Sequence, residues 1–453
     1  MRTVSLPVLA AAVILIAGTA GAQPPTSGKP VPELSFLDDI VHAYMDTTDA
    51  KGVVLGVSHQ GRPIFWRGYG WSDENQTVPM QETATFRVAS INKTFTAAVI
   101  RDLINLGLLD LSDRAFDLGQ PGGGILNLEP FPVLADVRFR DITIEHLLLH
   151  KGGWDRDTEH DPTNRELVIQ GDMGLAQLPS IRETMRWALG QDLQFAPGTD
   201  EQYANIGYLA LGLIAEQVSG TDLISYVRTH LLTDELWFPT SDFFMGRTFA
   251  ADQDPREPHY IFPNTWVNVF DPDGPRVPAP YGGWNHEQKD GYGRLVANAI
   301  PLLHLAHRVY LNGNGRGLPI GDTHVSSEHG GALWGACGVL RQRDDGIDFV
   351  IMVNGYKDDR HYAKEIRTLI GNAIHPAIQW PDETVDCRWL DFAHVGEEQG
   401  SYDLPYGSIN DLGNIPAYSK VKFKSGTSPW TGVVTRGHLE LSTTAGGAVV
   451  IGR

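Results

Sequence analysis

The chain has 453 residues, of which 42% are hydrophobic and 20% are charged, and these proportions are typical of a folded protein rather than a disordered one. A formal net charge of −19 would repel a polyanion, which disfavours a nucleic-acid partner. The length allows one large domain or two to three smaller ones.

The N-terminus has the pattern of a secretory signal peptide. Arg2 precedes an apolar run over 6–16, which is followed by an A-G-A stretch at 20–22. We therefore expect residues 1–22 to be cleaved and the mature protein to be secreted or periplasmic. The residue directly after the cleavage site is Gln23 and not the cysteine that a lipid anchor needs, and no later stretch is long and apolar enough to span a bilayer, so no membrane anchor is expected.

The two cysteines, Cys337 and Cys387, both belong to the mature part of the chain. In an oxidising compartment they could form one disulfide. Two separate buried thiols are the alternative, and the sequence does not separate the two possibilities.

The first quarter of the mature chain predicts a helix over 34–44 and a hairpin of strands at 53–58 and 63–71. A further helix is predicted from Ser90 to about Leu106, where Gly107 ends it. The region from 108 to about 245 reads as mostly helical with long loops, and 249–285 is an irregular, Pro-rich stretch.

The later part of the chain returns to regular patterns. It predicts a helix over 295–310, strands at 332–341 and 347–354, and a helix over 362–378. This order predicts an α+β fold: an antiparallel sheet built from both chain ends and flanked by helices, with a mostly helical domain inserted over about 108–290. Residues 23–380 would form the whole α+β domain, including the helical insertion. The alternating runs in 381–453 predict a small C-terminal β appendage.

The first segment with catalytic potential contains Ser90 and Lys93, spaced as S-x-x-K. Side chains three residues apart on a helix share a face. A serine hydroxyl needs a neighbouring base, and a lysine can serve when burial or nearby positive charge lowers its pKa. The helix N-terminus adds backbone N–H groups where negative charge develops. A capping serine followed by a solvated lysine would give the same letters.

The second segment supplies Tyr203 and Asn205, which we place in a loop leading into a helix over 209–218. A tyrosine hydroxyl near a lysine can shuttle protons between nucleophile and leaving group. Asn205 could orient the lysine or the substrate carbonyl. An aromatic core residue followed by a helix cap is the structural alternative.

The third segment has His329 followed by Gly330 and Gly331, at the predicted start of a strand. Two glycines there would let a substrate lie against the strand backbone. His329 could hydrogen-bond to the substrate or assist proton transfer. A turn with a surface histidine is the alternative.

Taken together and in this order, the segments resemble the serine β-lactamase and penicillin-binding-protein superfamily, in particular its class C, esterase and D-aminopeptidase branch. The motifs of that superfamily are S-x-x-K, Y-x-N and K/H/W-x-G. The flanking residues agree as well, and the resemblance covers roughly 34–378. It implies a β-lactamase/transpeptidase-like fold.

The resemblance also implies roles for individual residues. Ser90 would be the acylated nucleophile, Lys93 its base, Tyr203 the acid/base partner and Asn205 a positioning residue. The backbone N–H groups of Ser90 and Ala332 would form the oxyanion hole. The reaction would be acyl transfer through an ester on the serine that water then hydrolyses, with no cofactor.

His329 departs from the β-lactamase pattern, which usually has lysine at that position. A permanent cation there would bind a substrate carboxylate, whereas histidine is mostly neutral near pH 7. We therefore expect cleavage of small-molecule esters, amides or peptides, in preference to β-lactamase or D,D-peptidase activity. A non-catalytic binding protein is the third hypothesis, and it would have no need of Ser90, Lys93 and Tyr203 together.

Two further features have open interpretations. His146 and His150 are spaced i, i+4, as metal ligands on one helix face would be, but no third ligand is evident, so we favour a structural explanation and expect no metal. An aromatic-rich loop either lines a substrate pocket or packs a long loop; its members are Tyr260, Phe262, Trp266, Phe270, Tyr281 and Trp284.

Overall fold

The computed structural model describes residues 24–231, 242–309, 311, 326–356, 361–375, 378 and 380–381, and the backbone of four strands between 420 and 452. In chain order the helices are α1 Ser35–Thr47, α2 Asn92–Asn105, α3 Ile144–Leu148, α4 Glu166–Met173, α5 Ile181–Ala188, α6 Asn205–Ser219, α7 Leu223–Tyr226, α8 Ala299–Arg308 and α9 Tyr362–Ala373. The strands are β1 Thr26–Ser27, β2 Gly52–His59, β3 Arg62–Gly70, β4 Phe86–Arg87, β5 Phe116–Asp117, β6 Leu126–Asn127, β7 Phe243–Met245, β8 Thr265–Trp266, β9 Val277–Pro278, β10 Leu295–Ala297, β11 Ser327–Leu333, β12 Ala336–Gln342, β13 Ile347–Val353, β14 Lys420–Ser425, β15 Ser428–Thr435, β16 His438–Thr443 and β17 Ala448–Gly452.

The main sheet joins the two ends of the described domain. Its strand order is β1-β3-β2-β13-β12-β11, and every pairing in it is antiparallel. The predicted hairpin forms the β2–β3 part, and β11 is an edge strand. This arrangement confirms the predicted α+β class with an antiparallel sheet.

Helices cover both faces of the sheet, and its four inner strands are therefore almost entirely buried. One hydrophobic cluster joins α1 and α9 to one face and includes Leu37, Val41 and Ile366. The other cluster joins the opposite face to α2, α6 and α8. The second cluster therefore fixes the start of α2 and the start of α6 against the sheet.

Several predicted boundaries were wrong. The helix expected from Ser90 begins at Asn92, after a single 3-10 turn at Ala89–Ile91. The helix expected over 209–218 begins earlier, at Asn205, so this residue lies in the helix and not in the loop before it. The last helix ends at Ala373, not at 378.

The strand assignments in the last third also needed correction. The residues Leu295–Ala297 form β10 and only then does α8 begin, because a short apolar run fits a buried strand and a buried helix equally well. The predicted strand over 332–341 is really the end of β11, a turn at Trp334–Gly335 and most of β12. His329 therefore lies inside an edge strand, not at its start.

Cys337 is a free, buried thiol in β12 whose Sγ donates a hydrogen bond to the Gly355 carbonyl at 3.3 Å. Cys387 lies outside the described residues, as does the proposed signal peptide over 1–22. Within the described part of the chain, no helix is long and apolar enough to cross a membrane. The strands β14 to β17 form an antiparallel sheet in sequence order.

Candidate active site

The hydroxyl of Ser90 lies between an amine and a phenol. Its Oγ is 2.6 Å from the Tyr203 hydroxyl and accepts a hydrogen bond from Lys93 Nζ at 3.0 Å. Ser90 itself is half-buried. The three residues that the sequence analysis singled out from two distant segments are therefore in direct contact.

The segment that carries Ser90 is fixed from several sides. β4 pairs with β10, and the side chain of Asn92 accepts a hydrogen bond from the Leu295 backbone N–H at 3.0 Å. The buried guanidinium of Arg87 donates to the Pro280 carbonyl at 2.8 Å and lies 4.7 Å from the centre of the Tyr260 ring. These contacts hold the 3-10 turn before α2 in one position.

Lys93 is fully buried and its ammonium group has three acceptors. It donates to Ser90 Oγ, to Asn205 Oδ1 at 2.8 Å and to the Tyr292 carbonyl at 3.2 Å. Burial holds the pKa of Lys93 well below its ordinary value, because the charged form loses its hydration. The carboxylate of Asp161 opposes this shift and the guanidinium of Arg156 adds to it. A lysine in this environment can accept a proton from a serine.

The phenol of Tyr203 is half-buried and lies against other side chains. Burial raises its pKa to about 12, while the hydrogen bond with Ser90 and the positive charge of Arg156 act in the opposite direction. The Arg156 guanidinium carbon lies 4.6 Å from the ring centre, and the His150 ring centre lies 4.7 Å away. At neutral pH the phenol keeps its proton and can donate it.

Removing the charge of Arg156 should change the pH dependence of the enzyme. Because Arg156 lowers the pKa values of both Lys93 and Tyr203, the Arg156→Gln variant should raise both. The acidic limb of its kcat/KM profile should then move to higher pH, by less than about one unit because solvent screens an exposed cation. The matched control is Arg165→Gln, which removes the same charge from a residue that lines one cavity together with Arg156 but lies over Trp187 instead of Tyr203. Equal profiles for both variants and the wild type would contradict the prediction.

Asn205 is positioned by a carboxylate that sequence reasoning missed. The Asn205 backbone N–H donates to Asp161 Oδ2 at 2.5 Å, and the backbone and hydroxyl of Thr163 donate to Asp161 Oδ1. Asp161 thus holds the first residue of α6 in place. An Asp-Pro-Thr-Asn run is a common local cap, but its partner lies 44 residues away, so only the structure reveals the link.

His329 is buried on the edge strand β11, and its Nδ1 is 2.9 Å from the Gly330 carbonyl. That contact places the ring proton on Nδ1 in the neutral tautomer. Burial, with a smaller contribution from the positive charge of Lys93, lowers the pKa of His329 to about 4. The histidine is therefore uncharged at neutral pH.

Gly331 is the point where the edge strand touches the turn that carries Ser90. A Cβ atom on Gly331 would lie 2.2 Å from the Val88 carbonyl oxygen and 3.1 Å from the Ala89 Cβ. The neighbouring Gly330 faces the other way, toward the Lys364 side chain, and Ala332 is half-buried farther along the strand. The second glycine is thus required for close approach of the backbones.

The Gly331→Ala variant should separate the edge strand from the Ser90 turn, because the added Cβ meets the Val88 backbone. A displacement near 1 Å at a reacting group can lower the rate by about a hundredfold. We expect that loss in the rate of covalent labelling of Ser90. The Gly330→Ala variant is the control, because the nearest neighbour of its Cβ would be the flexible Lys364 side chain at 3.2 Å and its other neighbours lie at 3.9 Å. Equal labelling rates in both variants would show that the contact is unimportant.

The other candidate residues have structural roles. His146 Nδ1 accepts from the Thr143 backbone in a capping box, and His150 Nδ1 accepts from the Ala204 backbone. Within the described ranges, no group of three side chains could hold a metal. In the aromatic loop, Tyr260 and Tyr281 pack around Arg87 and each other.

The remaining large rings of that loop surround a residue that sequence reasoning missed. Trp334, in the turn after β11, has three aromatic neighbours at ring-centre distances of 4.7 to 5.8 Å: Trp266, Trp284 and Phe262. Phe270 contacts Phe249 instead. Trp266 is 45% exposed, so this cluster has a surface open to solvent.

Comparison with known proteins identifies relatives. The family model described as Beta-lactamase matches residues 37–320. A "Putative fimbrial assembly protein FimD, serogroup D" of Dichelobacter nodosus is 28% identical over 223 residues, which are 48% of this chain and 50% of that protein. A "Protein flp" of Staphylococcus aureus (strain MW2) is 24% identical over 43% of this chain and 36% of that protein. The chain spans half or less of the length of these relatives.

Solved structures show the same fold. The D-amino acid amidase from Ochrobactrum anthropi SV3 matches 75% of this chain and 100% of its own, with a TM-score of 0.52 and 17% identity. A "Beta-lactamase/D-alanine Carboxypeptidase" from Yersinia pestis, complexed with citrate, matches 76% of this chain and 100% of its own, with a TM-score of 0.52 and 15% identity. Identities this low support the architecture alone.

Proposed function

The chain belongs to the beta-lactamase family, and from this premise we propose that it is a serine hydrolase that cleaves carboxylic esters or small amides through an acyl-enzyme on Ser90. One observation carries the proposal. The Ser90 hydroxyl is within hydrogen-bonding distance of both a fully buried lysine amine and the hydroxyl of a half-buried tyrosine. A serine that served only as a helix cap would need neither.

In the proposed acylation, Lys93 accepts the proton of Ser90 as Oγ attacks the substrate carbonyl carbon. The carbonyl oxygen becomes an oxyanion, and the backbone N–H groups of Ser90 and Ala332 bind it. The bond to the leaving group then breaks, and Tyr203 gives its proton to the departing oxygen or nitrogen. The proton that Lys93 holds returns to the tyrosine oxygen, which is restored for the second half of the reaction.

Deacylation uses the same groups with water in place of the serine. A water molecule attacks the ester carbon while the Lys93–Tyr203 pair takes its proton. The ester bond to Ser90 breaks, Oγ regains a proton and the carboxylic acid leaves. Asn205 holds Lys93 in position in both halves, since its Oδ1 accepts from Nζ at 2.8 Å.

The preference for esters and small amides rests on His329. Because this residue is uncharged at neutral pH, it offers no permanent cation for the carboxylate of a β-lactam at that position. β-Lactamase or D,D-peptidase activity is the alternative, and the name of the Yersinia pestis neighbour is consistent with it. The amidase from Ochrobactrum anthropi is consistent with amide cleavage. We also propose, from the N-terminal pattern, that the protein is exported.

A substrate panel tests the proposal. Purified protein would be treated with a fluorophosphonate and then offered a short-chain nitrophenyl ester, a D-alanyl amide and a chromogenic cephalosporin. We expect a covalent label on Ser90 and hydrolysis of the ester or the amide. Hydrolysis of the cephalosporin alone would favour the β-lactamase alternative. Neither label nor turnover of any substrate would favour a non-catalytic binding protein.

A further inference from the structure

Lys289 is a second buried lysine close to the site, and the proposed mechanism does not use it. Its side chain is 3% exposed. Among the described residues, its ammonium group has no ion pair and no hydrogen-bond acceptor; its close contacts are two ring faces, with Nζ 5.7 Å from the centre of Trp284 and 5.5 Å from that of Tyr292. Lys93, by contrast, has three acceptors.

An unpaired buried ammonium is costly, because the ring faces replace only part of the hydration it loses. Lysine is almost never fully buried without a partner for that reason. Two carboxylates act on Lys289 electrostatically, those of Glu166 and Asp161, but neither lies within ion-pairing distance. Asp161 is already engaged by Asn205 and Thr163. The fold therefore places a cation where its closest counter-ion is missing.

The backbone of this lysine is part of a turn held by several hydrogen bonds. The Lys289 carbonyl accepts hydrogen bonds from the N–H groups of Tyr292, Gly293 and Arg294 at 2.8 to 3.2 Å. Its aliphatic stem packs on Gly293, where a Cβ atom would lie 3.7 Å from the Lys289 Cβ. The main chain of Lys289 therefore has a defined position, from which its side chain reaches the rings of Trp284 and Tyr292.

Lys289 adjoins the Ser90 site through Tyr292. The Tyr292 carbonyl accepts from Lys93, and the ammonium nitrogens of Lys93 and Lys289 are each 5.5 Å from the centre of the Tyr292 ring. Because both distances are measured from one ring centre, the two ammonium nitrogens are separated by at most twice 5.5 Å. On its other side, Lys289 contacts Trp284, which packs on Trp334 at the end of β11.

Accordingly, we propose that Lys289 forms an anion subsite beside Ser90 that binds a carboxylate of the substrate between Tyr292 and the Trp284–Trp334 pair. This inference rests on the proposed hydrolase function and names its substrate class: esters or amides that carry a carboxylate apart from the bond being cleaved. The carboxylate would supply the missing counter-ion in a charge-assisted hydrogen bond. The subsite differs from the position of His329, because His329 lies on the edge strand β11 whereas Lys289 lies in the loop before β10.

Four substrates test the subsite and show which part of the substrate it binds. The nitrophenyl monoester of glutaric acid carries the carboxylate on the acyl side, and nitrophenyl valerate is its neutral counterpart. Acetoxybenzoate carries it on the leaving-group side, and acetoxybenzamide is its neutral counterpart. In the wild type, kcat/KM should favour the anionic member of one pair, and the favoured pair identifies the side.

The decisive variant is Lys289→Met, which keeps the length of the side chain and removes its charge. The anionic-to-neutral ratio of kcat/KM should fall by about tenfold or more, while the neutral ester is hydrolysed at a nearly unchanged rate. Lys289→Arg should restore part of the ratio. The matched control is Lys364→Met, an exposed lysine on the opposite side of β11, which should leave the ratio unchanged. An unchanged ratio in Lys289→Met overturns the proposal.

Direct binding separates this inference from the proposed function. Glutarate should bind the wild-type protein in a calorimetric titration, and glutaramide should not; Lys289→Met should abolish the difference. Glutarate binding without any labelling or turnover would contradict the hydrolase proposal and support the anion site. Labelling and ester hydrolysis without a preference for anionic substrates, and without glutarate binding, would contradict the anion site and leave the hydrolase proposal supported. A Lys289→Met protein that fails to fold leaves the wild-type titration to decide.

Discussion

The Ser90→Ala variant should lose covalent labelling by a fluorophosphonate completely and lose at least about a thousandfold in kcat. The hydroxyl is the atom that would form the acyl-enzyme, and no other group near it can replace it in that role. Lys93 and Tyr203 remain in the variant, but they only move protons. The measurement is intact-protein mass after labelling, together with initial rates on the ester or amide that the wild type hydrolyses.

The same substitution should hardly change stability. Lys93 keeps its hydrogen bonds to Asn205 and to the Tyr292 carbonyl, so removal of the Ser90 hydroxyl leaves no buried charge without an acceptor. The change in unfolding free energy should stay within about 1 kcal/mol.

A second serine provides the control. Ser180 caps α5, with its hydroxyl accepting from the Glu183 backbone, so Ser180→Ala should cost about 1 kcal/mol while labelling stays at the wild-type rate. Labelling of the Ser90→Ala protein at the wild-type rate would show that the nucleophile is a different residue.

Sequence patterns were sufficient where the chemistry depends on short, ordered motifs. Ser90 and Lys93 come from one helical turn, and their contact follows from helix geometry. Their meeting with Tyr203, 113 residues away, follows only from the resemblance to a known superfamily. Local sequence patterns cover only a few residues and cannot show that two residues so far apart in the chain are in contact.

The charges that surround the site could not be predicted in this way. Arg156 and Asp161 come from one loop and Lys289 from another, and each lies beside the reactive groups because of tertiary packing. In the sequence they are ordinary charged residues of loops, where such residues are expected to be solvated. Their importance depends on burial and on distances that a linear pattern does not encode.

The edge strand β11 escaped prediction for a different reason. Its core, His329-Gly330-Gly331, has few apolar side chains, so it lacks the alternation by which strands are recognised. Gly331 is there because the Val88 backbone needs the space, and His329 is buried although it is polar. Features that weaken the strand pattern are the same ones that bring this strand next to Ser90.

The Lys93→Met variant should reduce kcat by about a thousandfold or more, because methionine fills the space of the lysine but cannot accept the proton of Ser90. Labelling by a fluorophosphonate should slow by a similar factor, since that reaction also needs an activated hydroxyl. Lys364→Met is the control, because that lysine is exposed and lies on α9.

Lys93→Met should increase the stability of the fold while it reduces activity, and the size of the increase should depend on pH. Burial lowers the pKa of Lys93 in the folded state below its ordinary value of 10.5. The unfolded chain therefore binds more protons between those two pKa values, so this lysine costs stability as the pH falls through that window. Methionine removes the cost, although Asn205 Oδ1 loses its donor.

The difference in melting temperature, variant minus wild type, should therefore be largest near neutral pH and should shrink as the pH rises toward 10.5, the ordinary lysine value. Thermal unfolding of both proteins across that range measures it, and Lys364→Met should show no such trend. A difference that does not change with pH would mean that Lys93 has the same protonation in the folded and unfolded chains. It could not then be the base that Ser90 requires, even if the variant were inactive.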